Sequence, residues 1–167
     1  ITIPAAFSEL FETKFDWAYY SEPEENQQGR KIFLPRGKGL GGSSSINAMV
    51  YLRGNDRDFD EWVEHGAAGW SPSEVLPFFT KSEHNEQFGG EYHGQAGPLN
   101  VTFAHGDRFT HKLIDGAVAA GHERVEDFNS ATQEGVGRLQ VNQKNGRRWS
   151  VADAFIRPHL KKRKNLT

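Results

Sequence analysis

The chain has 167 residues and a mass of 18.8 kDa, and its 20 Lys and Arg against 22 Asp and Glu leave a formal charge of −2, a balance that argues against a coat for nucleic acid or for an anionic membrane. It has no cysteine, so disulfide frameworks, thiolate metal sites and cysteine nucleophiles are excluded. No apolar run reaches the roughly eighteen residues of a membrane-spanning helix, and the opening Ile1-Thr2-Ile3-Pro4 carries neither an initiator Met nor a signal peptide; the chain is therefore expected to be an internal piece of a longer polypeptide, cytoplasmic by default or peripheral to a membrane.

Residues Ile1 to Asp16 read as an irregular or short helical entry around Phe7, Leu10 and Phe11. Trp17 to Ser21 has the aromatic richness of a strand. After the polar turn Pro23 to Gly29 a second strand is expected over Arg30 to Pro35, and the two form a hairpin. Gly37 to Ser45 is a glycine- and serine-rich loop that runs into the apolar stretch Ile46 to Leu52. Asn55 and Asp56 are placed to cap a helix through Trp62 and Val63. The sharpest local signal is Ser71-Pro72-Ser73-Glu74, a capping box with Pro at the first helical position, opening a helix that carries Val75, Leu76, Phe78 and Phe79.

A second glycine-rich loop (Gly89, Gly90, Gly94, Gly97) precedes a strand over Pro98 to Phe103. Phe109, Leu113, Ile114, Ala117 and Val118 recur at helical spacing up to a stop at Gly121. Val136 to Gln143 reads as a strand leading to the turn Asn145-Gly146, and Ser150 caps a last helix through Ile156 before Pro158 and a basic tail. Helices and short strands mix without a βαβαβ rhythm, which gives an α+β organisation. Apolar residues make up 36% of the chain and aromatics 12%, so the apolar area sits in a few bulky rings. Trp17, Trp62, Trp70 and Trp149 read as packing anchors, and part of the aromatic surface is expected to meet protein outside this chain.

Gly37-Lys38-Gly39-Leu40-Gly41-Gly42 matches G-x-G-x-x-G in letters. A dinucleotide-binding βαβ unit needs a buried strand directly before such a loop, and Pro35 interrupts that strand. The physical content survives without the fingerprint. Gly41 and Gly42 let a ligand approach the backbone, Ser43, Ser44 and Ser45 add hydroxyls, and Arg36 and Lys38 add charge, which together suit a pyrophosphate. Spacing alone fits a ligand-free surface loop equally well.

The run from Arg36-Gly37-Lys38-Gly39-Leu40-Gly41-Gly42-Ser43-Ser44-Ser45 through Ile46-Asn47-Ala48-Met49-Val50-Tyr51-Leu52-Arg53-Gly54 resembles the first signature of the glucose–methanol–choline (GMC) flavoprotein oxidoreductases. The likeness continues on both sides, in Asp16-Trp17, Ser21-Glu22-Pro23, Gly69-Trp70-Ser71, Leu76-Pro77-Phe78-Phe79, Tyr92-His93-Gly94, Asp127-Phe128-Asn129 and Asn145-Gly146-Arg147-Arg148-Trp149-Ser150. It covers essentially the whole chain and has the flavour of choline and alcohol dehydrogenases.

The resemblance implies FAD binding and oxidation of the CH–OH group of a primary alcohol, choline or a related one, to the aldehyde by hydride transfer to flavin. Carried onto this chain, the cofactor-binding residues would be Arg36, Gly37, Gly41, Gly42 and Ser43 at the diphosphate and Asn47, Ala48, Met49 and Val50 towards the flavin ring. Ile46 stands where family members with a tethered flavin have His, so FAD is expected to be non-covalent. Residues 1–54 would form the FAD-covering segment and flavin loop, and residues 55–167 the elements bridging to a partial substrate domain, an internal fragment of an α/β FAD-binding protein. The family's catalytic His, with its second His or Asn, maps to nothing here. The chain alone is then expected to be inactive and to bind FAD weakly, with the rest of the polypeptide and a small-molecule alcohol as its partners and no nucleic acid. A lyase of the same family with structural FAD, or a non-enzymatic phosphate- or partner-binding module, are the alternatives.

Other features read more plainly. His84 and His93, with Glu83, Glu86 and Glu91, lack a metal-ligand spacing and are expected to be surface or locally hydrogen-bonded histidines. The run Lys161-Lys162-Arg163-Lys164 is expected to be a solvated face. Asn100-Val101-Thr102 and Asn165-Leu166-Thr167 fit the glycosylation tripeptide, a pattern common by chance.

Overall fold

Short strands and α-helices mix in the computed structural model, which describes residues 1–106 and 108–166. In chain order the elements are β1 (Tyr19–Tyr20), β2 (Phe33–Leu34), β3 (Val50–Tyr51), α1 (Asp56–Glu64), α2 (Pro72–Ser82), β4 (Glu83–Asn85), β5 (Leu99–Phe103), α3 (Arg108–Ala119), β6 (Gln140–Val141), β7 (Gln143–Lys144) and β8 (Arg147–Arg148), with 3₁₀ turns between them and a π-helical turn over Ala152–Ile156. They fall into two units, Ile1–Met49 with Gln143–Thr167, and Val50–Asn142. Thr167, the end of one glycosylation tripeptide, lies outside the described residues.

In the first unit β1 and β2 pair antiparallel, Tyr19 opposite Leu34 and Tyr20 opposite Phe33. The strand expected from Trp17 shrinks to two residues because Ala18 takes φ +49 and gives its amide to Asp16 Oδ1 at 3.1 Å. The β7–β8 hairpin turns through Asn145 and Gly146, at φ +51 and +70, the left-handed pair that a two-residue turn of the right twist demands. Ser150 and Asp153 close the capping pair of the last turn, Ser150 N–H to Asp153 Oδ2 at 3.1 Å and Asp153 N–H to Ser150 Oγ at 3.3 Å.

In the second unit the sheet order is β3-β6-β5-β4, antiparallel except for β4 beside β5. Phe59, Val101, Ile114, Val125 and Val141 form its buried apolar centre. Both expected helix starts are present. Asn55 N–H donates to Asp58 Oδ2 at 3.0 Å at the head of α1, and Ser71 N–H to Glu74 Oε2 at 3.1 Å at the head of α2. α3 ends before Gly121, which has φ +99.

Three expectations change. The strand over Val136 to Gln143 shortens to β6, since Val136 N–H donates to Glu123 O at 2.8 Å and Val136 bridges Arg124. A Cβ on Gly137 would lie 1.9 Å from Val125 O, so only glycine admits that approach. β4 was not expected as a strand, because its inward residues Glu83 and Asn85 are buried polar side chains rather than apolar ones. Trp17, Trp62 and Trp70 are half exposed and pair on the surface, Trp62 edge-on to Trp70 and Trp17 stacked on Tyr19, in place of the anchoring role expected of them.

Candidate functional site

The loop after β2 is built from its inner side. The carboxylate of buried Asp16 accepts amides from Arg36 at 2.8 Å, Ala18 at 3.1 Å and Glu12 at 3.0 Å. Burial alone would raise its pKa, yet these backbone donors outweigh it and hold the carboxyl below its ordinary value. Lys38 N–H donates to Phe15 O at 2.7 Å and Gly37 N–H to Ser43 Oγ at 3.2 Å, which closes the loop on itself. A Cβ on Gly37 would sit 2.1 Å from Gly42 O, so closure requires glycine there.

The remaining glycines divide by what faces them. Gly41, at φ +91, has its Cβ direction filled by Ser45 Oγ at 2.6 Å and Ala152 Cβ at 3.1 Å, so its missing side chain serves packing within the chain. Gly42, at φ +54, has nothing within 4 Å in that direction. The serines divide likewise. Ser44 Oγ donates to Gly41 O and accepts Val151 N–H at 3.0 Å, and Ser45 Oγ donates to Leu40 O at 2.9 Å, so both hydroxyls hold the loop and are not offered to a ligand. Ser43 is exposed, and its Oγ accepts one amide while its proton stays available.

Arg36 is exposed, with its backbone tied to Asp16 and Trp17. Asn47 and Ala48 are exposed and follow the buried Ile46. Met49 is buried with φ +65, so what it offers outward is backbone. Val50 is exposed and opens β3 in the second unit. The structure therefore brings Arg36, Gly37, Gly41, Gly42, Ser43, Asn47, Ala48 and Met49 into one loop whose polar back is satisfied internally and whose outer side carries Gly42, Ser43 and Asn47.

Sequence reasoning passed over Arg148. It is buried in β8 and donates to Ser44 O at 3.0 Å and Asn47 Oδ1 at 2.9 Å, bracing the loop from behind. Burial pushes its pKa below the ordinary value. The signs in the sequence are its place as the second arginine after a predicted Asn-Gly turn and its membership of a segment that resembles the family.

In the second unit a different polar cluster is closed to solvent. Arg53 Nη2 meets Glu83 Oε2 at 2.6 Å, Glu83 Oε1 faces His93 Nδ1 at 3.0 Å, and His93 Nε2 faces Asp127 Oδ2 at 2.7 Å. Asn85 Nδ2 and Gly94 N–H also donate to Glu83, at 2.7 and 3.2 Å. Burial by itself would lower the His93 pKa, but the two flanking carboxylates raise it to about 9. Burial would raise both carboxyls, but His93, with Asn85 and Arg53 at Glu83 and the Asn129 amide at Asp127, lowers them. Arg53 Nε and the Tyr51 hydroxyl have no partner among the described residues. His93 is thus not a surface histidine; it is bonded within its own segment to Glu83, as expected, and in addition to Asp127, 34 residues away. Among the described residues no three His, Asp or Glu side chains are arranged to hold a metal ion. A recess of about 320 Å³ beside this cluster is lined by Arg53, Phe59, Leu76, Phe79, Tyr92 and Asn129 among others. No described helix is long and apolar enough to cross a membrane.

The sequence profile described as GMC oxidoreductase matches residues 12–167. The oxygen-dependent choline dehydrogenase of Sinorhizobium medicae (strain WSM419) is 45% identical over 166 residues, covering 97% of this chain and 30% of that protein. Pyridoxine 4-oxidase from Mesorbium loti superposes with a TM-score of 0.92 at 34% identity, over 99% of this chain and 33% of its own. A formate oxidase of Aspergillus oryzae RIB40, studied for FAD modification, superposes with a TM-score of 0.83 at 26% identity, over 94% of this chain and 29% of its own. The chain spans about 30% of the length of the curated relatives it matches.

Proposed function

Because the chain belongs to the GMC oxidoreductase family, we propose that it is part of an FAD-dependent oxidoreductase that converts the CH–OH group of a primary alcohol, choline or a related one, to the aldehyde. The observation that carries this reading is the open direction at Gly42, where the backbone turns at φ +54 and a Cβ would meet no described residue within 4 Å beyond its two chain neighbours. A diphosphate fits there against bare backbone, with the Ser43 hydroxyl as donor and the Arg36 guanidinium as a mobile counter-charge. Gly37 and Gly41 serve the same purpose indirectly, by letting the loop close tightly behind that face. Asn47, the backbone of Ala48 and Met49, and Val50 are the residues proposed to meet the flavin ring. Bound flavin would supply the hydride acceptor.

Ile46 is an alkyl side chain with 2% exposure, which supports a flavin held without a covalent bond. No residue is assigned here to take the alcohol proton, so the chain alone is proposed to be inactive and to bind FAD weakly, since binding would also have to order the loop. On this reading residues 1–54 carry the cofactor-facing segment and residues 55–167 bridge to the substrate domain, a division of labour that differs from the compact units at 49/50 and 142/143. The alcohol itself is supported by the name of the choline dehydrogenase relatives.

The test uses the purified protein that carries this chain. It should be yellow, release its flavin on acid precipitation, and bleach anaerobically when choline or a related primary alcohol is added. Gly42→Val should purify colourless. A colourless parent protein, or a Gly42→Val variant with undiminished flavin, overturns the reading.

A further inference from the structure

Behind the loop stands a buried cation whose partners are all neutral. Arg148 is 3% exposed. Its Nε donates to Ile1 O at 2.9 Å, and its Nη1 donates to Ser44 O at 3.0 Å and to Asn47 Oδ1 at 2.9 Å. Its Nη2 is buried without a partner among the described residues. No carboxylate is among these partners. Burying a guanidinium against carbonyl oxygens alone leaves its charge largely uncompensated, an expensive arrangement unless something else draws on it.

Asn47 shows where that effect is directed. Its Oδ1 accepts from Arg148 Nη1 and also from Met49 N–H at 3.0 Å. Two donors converge on one atom of the amide, so that atom is the oxygen. The Nδ2 group is thereby turned to the other side of an exposed residue. The same oxygen holds Met49 at φ +65, a left-handed conformation that an unbranched side chain adopts only under constraint.

We propose that Arg148 is a positioning residue of the cofactor loop: by holding the Asn47 oxygen inward it fixes the Asn47 Nδ2 donor on the loop's outer side and sets a positive charge behind it. This rests on the reading of the loop as a flavin cradle. A fixed donor backed by a buried cation favours whichever form of a bound group carries more negative charge, and for flavin that is the reduced form. The proposal therefore has a readout in the midpoint potential and not only in stability.

The experiment compares the parent protein with Arg148→Met, Arg148→Lys and Asn47→Asp for flavin content, visible spectrum, midpoint potential and thermal unfolding. Arg148→Met should weaken flavin retention by about tenfold or more, the scale of losing a hydrogen-bonded charge, with a lower potential in the fraction that still loads. Arg148→Lys, whose ammonium supplies donors for Ser44 O and Asn47 Oδ1, should recover most of both. Asn47→Asp keeps the acceptor for Met49 N–H and Arg148 but replaces the outward donor by an oxygen; it should lower the potential and perturb the spectrum without lowering the unfolding temperature, because its carboxylate also pairs with Arg148. A yellow parent whose Asn47→Asp variant keeps its potential and spectrum, and whose Arg148→Met variant merely unfolds more easily while its loaded fraction keeps the parent's potential, overturns this proposal and leaves the cradle reading standing. A colourless parent overturns both.

Discussion

In the loop from Arg36 to Asn47, hydroxyls and carbonyl oxygens close on one another across the inner side, while Gly42, Ser43 and Asn47 are left facing outward. In the cluster around Glu83, a carboxylate, an imidazole, a guanidinium and a second carboxylate face one another, and Arg53, Glu83 and His93 are almost wholly buried. By residue type the second region looks more like chemistry than the first. Its groups, Arg53 Nε apart, are committed to each other. What separates a candidate site from a structural knot here is the direction in which unsatisfied polar capacity points, and that direction is set by packing.

The largest test of the difference is at Glu83. Glu83→Ala should cost roughly 3–5 kcal/mol of stability, the usual consequence of leaving a buried guanidinium unpaired, measured by chemical denaturation. Flavin bound by whatever fraction stays folded should keep the parent's spectrum. If the variant instead folds normally and its flavin spectrum shifts, the cluster is functional and the contrast fails.

Next in size is a pH effect. His93 has its pKa raised to about 9 in the folded chain against an ordinary 6.5, so its proton is bound more tightly in the folded state. The stability this contributes is complete below the unfolded value and is lost as pH rises through about 9. On the acid side the lowered carboxyls of Glu83 and Asp127 contribute stability above their ordinary range and lose it as pH falls through their folded values. Denaturation midpoints taken from neutral to alkaline pH should fall around pH 9, and Asp127→Asn should move that fall to lower pH. Coincident curves for the parent and Asp127→Asn would mean that His93 is not charged in the folded state.

A matched pair of glycines separates backbone strain from ligand space. Gly29 has φ +69 and Gly42 φ +54, and both have open space where a Cβ would go. Gly29→Ala and Gly42→Ala should each cost about 1–2 kcal/mol for the left-handed backbone. Only Gly42→Ala should also reduce flavin retention. Equal retention in the two would mean that nothing lies against Gly42.

The two regions were also unequally legible in the sequence. α1 and α2 were readable because their starts are local, Asn55 with Asp58 and Ser71 with Glu74, and the β7–β8 hairpin because Asn145-Gly146 encodes its own turn. Gly37 to Ser45 was readable as a loop and its family signature as a motif. Which glycine faces open space was not, because Gly41 is covered by Ala152 and Ser44 is held by Val151, 107 residues on. Arg148 was missed for the same reason: it reaches Asn47 across 101 residues. β4 escaped notice because periodicity looks for apolar residues inside, and Glu83 and Asn85 are buried by pairing with His93 and with Gln140, 55 residues from Asn85.

The smallest expected effect is at Arg36, and it asks whether the loop's outer side meets solvent and anion rather than protein. The Arg36 amide is held by Asp16 Oδ1 at 2.8 Å and its carbonyl accepts Trp17 N–H at 2.8 Å, so the backbone path does not depend on the side chain. Among the described residues the guanidinium donates to the neighbouring Pro35 O alone, at 2.7 Å, and it is exposed. Arg36→Met should therefore unfold with the parent. If the side chain supplies counter-charge to a diphosphate, flavin affinity should weaken by roughly two- to fivefold, the scale of an exposed ion pair, and the deficit should vanish at about 1 M salt, where the Debye length is about 3 Å. The Glu83 cluster, shut away from ions, should keep its contribution in the same salt. A deficit at Arg36 that salt does not touch would place that side chain in a buried contact and redraw the outer face of the loop.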